Sequence, residues 1–500
     1  MERRRDSYLA QTKRDELQST KSLPADQERG RFPSSLLNHP KMIKTPELPL
    51  AETLHQRRQR LATRFSSPVI LWSGRSSARN YPANTYPFRA NSHFLYFAGL
   101  PLPNAAIRLE AGRLELFMDD PTPADLLWHG DSPRREQIAG EIGADAAYPL
   151  SHLKTCVEAA ATIPVMDGAT RLQQSQLLDR MMTPTHLLQG IDRDLAAAIV
   201  ELRLVHDELA ISQIRQAAAI TVQAHKAGIA ATPKATTEAE VRAVMEGVVM
   251  AHDTTCAYSS IVTVQGEVLH NNLYHHRLRA GDLLLADMAA ETQMGWASDV
   301  TRTWPVSGRF SATQRALYDV VLAAHDRCID AARPGVEYQD LHLLASRVIA
   351  AGLVDLGILR GSAEALVEQD AHALFFPHGV GHLLGLDVHD MEDLGDLAGY
   401  AAGRRRSERF GLGYLRLNRP LKAGMAVTIE PGFYQVPAIL QDPDRREKYR
   451  EVVNWEQLEV FSDVRGIRIE DDILITETGN EVLTAALPTK ADEVEQLVNG

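Results

Sequence analysis

Four acidic side chains set in otherwise apolar β-runs constrain this chain more than any other feature. Asp287 closes Gly281-Asp-Leu-Leu-Leu-Ala-Asp287 and Asp299 lies near the start of Trp296-Ala-Ser-Asp-Val-Thr-Arg-Thr-Trp-Pro305. Glu430 ends the strand-like Val427-Thr-Ile-Glu-Pro-Gly432, and Glu470 sits within Gly466-Ile-Arg-Ile-Glu-Asp-Asp472. An acidic group in such a run is costly unless it is paired or metal-bound. Asp287 and Asp299 are equally far from Gln293 and flank a turn around Thr292-Gln-Met-Gly295, so an antiparallel hairpin sets them face to face. Cross-strand partners lie ~4.5 to 5.5 Å apart, and two carboxylates at that distance repel unless one is protonated or a cation sits between them. Taken alone, the pair also reads as a solvated hairpin end.

Phe376-Pro-His-Gly-Val-Gly-His-Leu-Leu-Gly-Leu-Asp-Val-His-Asp390 changes that balance. His378, His382 and His389 fall within a short stretch beside Asp387 and Asp390, spaced by glycines that allow close approach of backbone or ligand. Asp287, Asp299, His382, Glu430 and Glu470 together form an oxygen-rich set suited to manganese, magnesium, cobalt or iron rather than to a thiolate zinc site. Two divalent ions balance the four carboxylates and make such a cluster buriable.

The rest of the chain is organised around this region. Residues 1 to 45 mix charged, polar and proline residues with little apolar periodicity, which predicts a flexible tail. A first α/β domain is expected over 46 to 190, with a helix from Leu48 to Phe65, strands at Pro68 to Trp72, Phe94 to Phe97 and Arg113 to Met118, and helices near 133 to 142 and 171 to 180. A second, larger domain spans 191 to 490. It starts with a long helical region from 192 to 230, breaks at Pro233 and resumes as a helix at 236 to 240. Two strands end at Asp287 and Pro305, helices follow at 311 to 332 and 338 to 355, a polar stretch runs from Met391 to Ala423, and strands cover 425 to 430 and 467 to 475.

The 65 acidic and 53 basic residues leave a net charge of -12, which argues against a nucleic-acid partner. Cys156, Cys256 and Cys328 are odd in number and widely spaced, so buried reduced thiols are expected rather than disulfides or a zinc knuckle. No apolar run reaches the ~18 to 20 residues of a membrane span, and the N-terminus lacks the apolar core of a signal peptide. A cytoplasmic protein without membrane contact is the expectation.

Asp-x(11)-Asp, His-Gly-x-Gly-His-x-x-Gly-x-Asp-x-His-Asp, Thr-Ile-Glu-Pro-Gly and Gly-x-Arg-Ile-Glu-Asp, in this order, resemble the dinuclear metallopeptidases of the pita-bread fold, specifically aminopeptidase P and prolidase. Tyr86-Pro-Phe-Arg-Ala-Asn-Ser-His-Phe-Leu-Tyr-Phe-Ala-Gly99 is similar to the aminopeptidase P N-terminal domain, and the resemblance covers roughly 50 to 487. It implies an α+β protein with a C-terminal pita-bread domain and a smaller N-terminal α/β domain. Two departures stand out. The family usually has ten residues between its aspartates where this chain has eleven, which places an extra residue in the Thr292 to Gly295 turn or in a bulge nearby. Asp287-Met-Ala-Ala replaces Asp-Ala-Gly or Asp-Met-Gly, with alanine still small.

The resemblance further implies two divalent ions, manganese first with cobalt, zinc or iron as alternatives. Asp299 and Glu470 would bridge them, His382 and Glu430 would bind one, and Asp287 the other. A metal-bridged water would attack the peptide carbonyl, Glu430 would move its proton, His270 would shuttle protons or hold substrate, and His378 and His389 would line the substrate pocket and donate to the developing oxyanion. Arg468 is expected to anchor the metal carboxylates or to form a surface ion pair; His275, His276 and His372 are expected to be ordinary surface or core polar groups. The substrates are proline-containing peptides. Release of the N-terminal residue before proline is the expected reaction, with Xaa-Pro dipeptidase activity as the alternative. Arg416 matches an arginine that resembles the dipeptide-carboxylate clamp of prolidases, and the 391 to 423 insert is prolidase-like; if Arg416 instead faces an acidic neighbour, longer peptides are favoured. A non-catalytic binding module and a creatinase-like amidinohydrolase share the scaffold, but the complete ligand set speaks against both. Relatives form dimers or tetramers, so a homo-oligomer is expected.

Overall fold

The structure, a computed structural model, describes residues 49–500. The expected tail over 1 to 45 lies outside the described residues. The first helix, Leu50–Ala62, carries Glu52 in its first turn and Arg60 in its last, each matching the helix dipole. It buries Leu54 and Leu61 against a four-stranded sheet ordered Val69–Trp72, Ala106–Glu110, Arg113–Phe117, Ala146–Tyr148. The sheet is antiparallel except for its last pair. A parallel bridge from Val69 to Ala161 covers the other edge, which explains why all four residues of Val69–Trp72 are buried.

Phe94 to Phe97, expected as a strand, is the middle of a helix, Ser92–Ala98. Asn91 caps it by accepting from the backbone N–H groups of His93 and Phe94, and Gly99 ends it in the left-handed conformation at φ 70°. Every residue of this helix is buried, so its apolar run has no period from which helix and strand could be told apart.

The long helical region also divides, into Gly190–Arg203 and Glu208–Ala231. Asp207 causes the break: its side chain caps the second helix at the Ala210 N–H and takes a two-pronged ion pair from Arg57, at 2.7 and 2.8 Å.

The remainder forms two halves. In the first, Glu208–Ala231 and Glu238–Ala251 pack together behind a sheet ordered Thr301–Pro305, Leu283–Asp287, Ile261–Thr263. In the second, Ala312–Ala331 and Tyr338–Asp355 back a sheet ordered Ala426–Ile429, Asp471–Ile475, Asn480–Val482 and the pair Gly432–Tyr434 with Gly466–Arg468. The Glu470 N–H donates to the Thr301 carbonyl at 3.0 Å and joins the halves where their acidic residues meet. The 391 to 423 insert holds the short turns Glu392–Leu394 and Asp396–Gly399 and isolated bridges from Tyr400 to Asn418 and from Pro420 to Glu337. No described helix is long and apolar enough to cross a membrane. Cys156, Cys256 and Cys328 are all unbridged, but only Cys328 is buried as expected; Cys156 and Cys256 are half-buried.

Candidate active site

The aspartate hairpin differs in register from the expectation. Asp287 pairs with Thr301 rather than with Asp299, and the same register continues through Met288 with Val300 and Glu291 with Ala297 to Thr292 with Trp296. The turn is therefore centred on Met294, and no bulge interrupts the ladder. A three-residue loop with Gly295 at φ +87° takes up the extra residue. The shift leaves both carboxylates on one face, because Asp299 lies two residues from Thr301 and is the diagonal neighbour of Asp287.

Tyr258, which no sequence motif singled out, sits between them, its hydroxyl within hydrogen-bonding reach of the Oδ1 atoms of both Asp287 and Asp299. One hydroxyl donates to one acceptor at a time, so the second carboxylate needs a proton or a cation.

The other half supplies His382, Glu430 and Glu470. Glu430 follows the last residue of Ala426–Ile429, and Glu470 occupies the gap between Gly466–Arg468 and Asp471–Ile475. The His382 Nδ1 donates to the Leu383 carbonyl at 2.9 Å, which leaves its Nε2 lone pair facing Asp299 Oδ2 at 3.3 Å and Glu430 Oε1 at 3.7 Å. Burial pushes this imidazole down to about 4, so it is neutral and fit to bind a metal. Close packing demands Gly381, where a Cβ would meet the Thr428 carbonyl and the Tyr338 hydroxyl at 2.3 Å.

Donor atoms of Asp287, Asp299 and Glu470 lie within 4.8 Å of one another, and so do those of His382, Glu430 and Glu470. All five residues expected as ligands thus converge. Burial first, and then mutual repulsion, raises Asp299 to about 7 and Glu470 well above the carboxylate range. Glu430 rises to about 8 through burial and the nearby aspartates, against the pull of Arg468. A buried group of four acids facing one neutral imidazole lone pair fits divalent cations, which would reverse those shifts.

Arg468 is buried and forms no surface pair. It donates to Asp287 Oδ2 at 2.5 Å, to Thr301 Oγ1 at 2.9 Å and to the Tyr434 hydroxyl at 3.0 Å; Thr301 in turn donates to Glu470. Arg468 therefore positions both ends of the acidic cluster. Tyr434, also without a sequence signal, donates to His378 Nε2 at 2.8 Å, while His378 Nδ1 faces the Gly379 carbonyl at 2.8 Å. Both ring nitrogens of His378 are thus engaged. Burial and Arg468 hold the ring neutral, down to about 3.

Asp287, Asp299, His378, His382, Glu430, Arg468 and Glu470 line a cavity of about 580 Å³ together with His270, His389, Glu392, Arg406, Tyr414 and Arg416. The His389 ring lies 4.1 Å from that of His382, and its Nδ1 bonds Glu392. Arg416, expected as a possible carboxylate clamp, donates to Glu392. His270 stands at the lip, its pKa lowered by partial burial and by Arg468. Of the other histidines, His276 pairs with Glu238, His275 is exposed, and His372 is buried away from the cavity.

The segment from Tyr86 to Gly99 packs against the two loops that carry the site. Arg89 donates to Glu291 at 3.0 Å and to the carbonyls of Gly295 and Leu386, and Ser92 donates to Asp387 at 2.6 Å. The N-terminal segment is thereby tied to both the aspartate hairpin and the histidine loop.

Residues 212–477 match the model of metallopeptidase family M24, and residues 54–163 match that of the aminopeptidase P N-terminal domain. The chain is 34% identical to a probable Xaa-Pro aminopeptidase of Talaromyces stipitatus over 83% of its length and 88% of the relative's. It is 31% identical to the Xaa-Pro aminopeptidase of Haemophilus influenzae, over 92% of its own length and 99% of that protein's. A structure of Escherichia coli aminopeptidase P in complex with substrate matches with a TM-score of 0.73 at 27% identity, covering 91% of this chain and 99% of that one. Pseudomonas aeruginosa aminopeptidase PepP matches with a TM-score of 0.73 at 28% identity, over 91% and 99%. The expected two-part α+β fold is borne out by these neighbours, and the converging acids and imidazole are those of a protein that binds divalent metal. The chain belongs to the aminopeptidase P branch of metallopeptidase family M24.

Proposed function

We propose that this protein is a two-metal Xaa-Pro aminopeptidase in which Asp287, Asp299, His382, Glu430 and Glu470 would hold the ions, with manganese as the native metal. The observation that carries this reading is the convergence of the five donors within two overlapping groups, each 4.8 Å or less across. The names of the curated relatives support the reaction.

When bound, the ions would lower the pKa of a shared water and polarise the scissile carbonyl. Glu430 would accept the water's proton and pass it towards the leaving nitrogen. His389, held by Glu392, offers its ring to the substrate carbonyl; His378 supports the wall through Tyr434; His270 relays protons at the lip. Arg468 keeps Asp287 in place. The nitrogen of an Xaa-Pro bond carries no hydrogen and proline fixes φ, so recognition falls to shape and to the imidazoles, Tyr414 and Ile439 that line this cavity. The ion pair between Arg416 and Glu392 favours Xaa-Pro-Yaa and longer peptides over Xaa-Pro dipeptides.

We further infer that residues 46 to 190 form the N-terminal domain and 191 to 490 the catalytic one. The unbridged cysteines support a cytoplasmic enzyme. Leu127 and Trp128, 76% and 77% exposed on a helix that buries nothing, support assembly into a homo-oligomer.

The test is hydrolysis of Xaa-Pro-Yaa and Xaa-Pro before and after chelation. Chelated protein should be inactive, manganese or cobalt should restore cleavage, and Xaa-Pro-Yaa should be the better substrate. Full activity in a preparation verified as metal-free would reject the reading.

A further inference from the structure

Glu392 has no place in the metal site, yet its position is built with some care. It follows Met391, a fully buried residue held at φ 59° in the left-handed region that side chains other than glycine seldom adopt. That turn swings the Glu392 backbone N–H onto the His389 carbonyl at 3.2 Å and aims the side chain into the catalytic cavity. There one carboxylate oxygen meets His389 Nδ1 and the other accepts from Arg416. Burial opposes its charge, but His389 and Arg416 outweigh burial and hold Glu392 down to about 2. The carboxylate is therefore a permanent anion inside the cavity.

Arg416 is the cation that this anion pairs with. It lines the same cavity as the metal-binding acids, and its charge is felt at His270, His378, His382 and Glu430. A peptide bound for cleavage before proline extends its C-terminal side away from those acids. In a dipeptide the next group is the proline carboxylate; in a longer peptide it is a neutral amide. We propose that Glu392 is a specificity-determining residue: by pre-occupying Arg416 it turns a cationic wall into a neutral ion pair that accepts the amide after proline and rejects a dipeptide's terminal carboxylate. A carboxylate entering there must either displace a tethered anion from Arg416 or share one guanidinium with it. An amide carbonyl can accept an N–H from Arg416 without breaking the pair.

The assignment rests on the chain being an Xaa-Pro aminopeptidase, and the experiment separates the two. The manganese-loaded full-length enzyme and its Glu392→Gln, Arg416→Gln and double variants are assayed on one Xaa-Pro dipeptide and the matching Xaa-Pro-Yaa tripeptide, with thermal unfolding as the folding control. The readout is the ratio of kcat/KM for dipeptide over tripeptide. Any effect that Glu392 exerts on turnover through His389 falls on both substrates and cancels in the ratio. Glu392→Gln, which keeps the shape and removes the charge, should raise the ratio about tenfold or more, mainly through a lower dipeptide KM. Arg416→Gln, which leaves the anion alone, should lower it, and the double variant should lose the gain. A ratio unmoved in Glu392→Gln with active wild-type enzyme, or a gain that survives in the double variant, overturns the role of Glu392 alone. Wild-type enzyme inert towards both peptides overturns the aminopeptidase reading and this assignment with it.

Discussion

Glu430 faces His382 at 3.7 Å and His378 at 3.7 Å, so one carboxylate is placed both to bind metal and to handle a proton. Replacing it with glutamine keeps an oxygen donor and removes the base. Glu430→Gln should therefore retain metal in equilibrium dialysis while turnover falls by ~10² to 10⁴; near-native turnover would mean the proton goes elsewhere. The five proposed ligands are legible in the sequence because each violates its local pattern: an acid in an apolar run or an imidazole among glycines demands a compensating partner. Tyr258, Tyr434 and Glu392 were not legible. A tyrosine beside a strand or a glutamate in a polar insert breaks no pattern, and only the fold brings Tyr258 to Asp287 and Glu392 to Arg416.

At the scale of elements, the same contrast separates the aspartate hairpin from the helix at Ser92–Ala98. The hairpin's two strands and its face are readable from apolar runs interrupted by acids and from the flanking turn residues, but its register depends on whether the loop holds two, three or more residues. The ladder settles on a three-residue loop, with Gly295 supplying the left-handed position, and moves the centre from Gln293 to Met294. For the helix, four consecutive buried apolar residues carry no period, and only the Asn91 cap and Gly99 stop mark its type. Gly381 is the position where an element constrains the chemistry most directly, since it lets the histidine loop lie against the strand Ala426–Ile429. Gly381→Ala should push the loop away from Thr428, destabilise the fold by about 1 to 3 kcal/mol and weaken metal binding, both measurable by unfolding with and without manganese. Unchanged metal affinity would show that the loop can move without carrying His382 with it.

For the molecule as a whole, the acidic cluster and the buried histidines make opposite contributions to stability as pH changes, and metal acts on only one of them. Asp299 and Glu430 are raised to about 7 and about 8, chiefly by burial. Groups raised in the folded state add stability that is complete below their unfolded values near ~4 and is lost as pH climbs through the folded ones. His342 and His372 are lowered to about 4, again chiefly by burial. Their contribution is complete above the unfolded value of ~6.5 and is lost as pH falls towards 4. Above pH ~6.5 the histidines are neutral in both folded and unfolded chains, so the acids alone set the slope. The metal-free protein should accordingly lose thermal stability from pH 6.5 to 8.5 as the cluster ionises without counter-charge. Bound cations hold the same carboxylates ionised and favourable, so the metal-loaded protein should keep its stability over that interval, and the rise in Tm produced by manganese should grow with pH. Below pH 6 the metal-loaded protein should weaken as His342 and His372 take up protons, whereas in the metal-free protein the protonated acids offset part of that loss. Calorimetric unfolding of metal-free and manganese-loaded protein between pH 5 and 8.5 measures all of this. An increment from manganese that stays constant from pH 6.5 to 8.5 would mean that the cluster is already neutralised without metal, and would remove the electrostatic argument for two divalent ions at Asp287, Asp299, His382, Glu430 and Glu470.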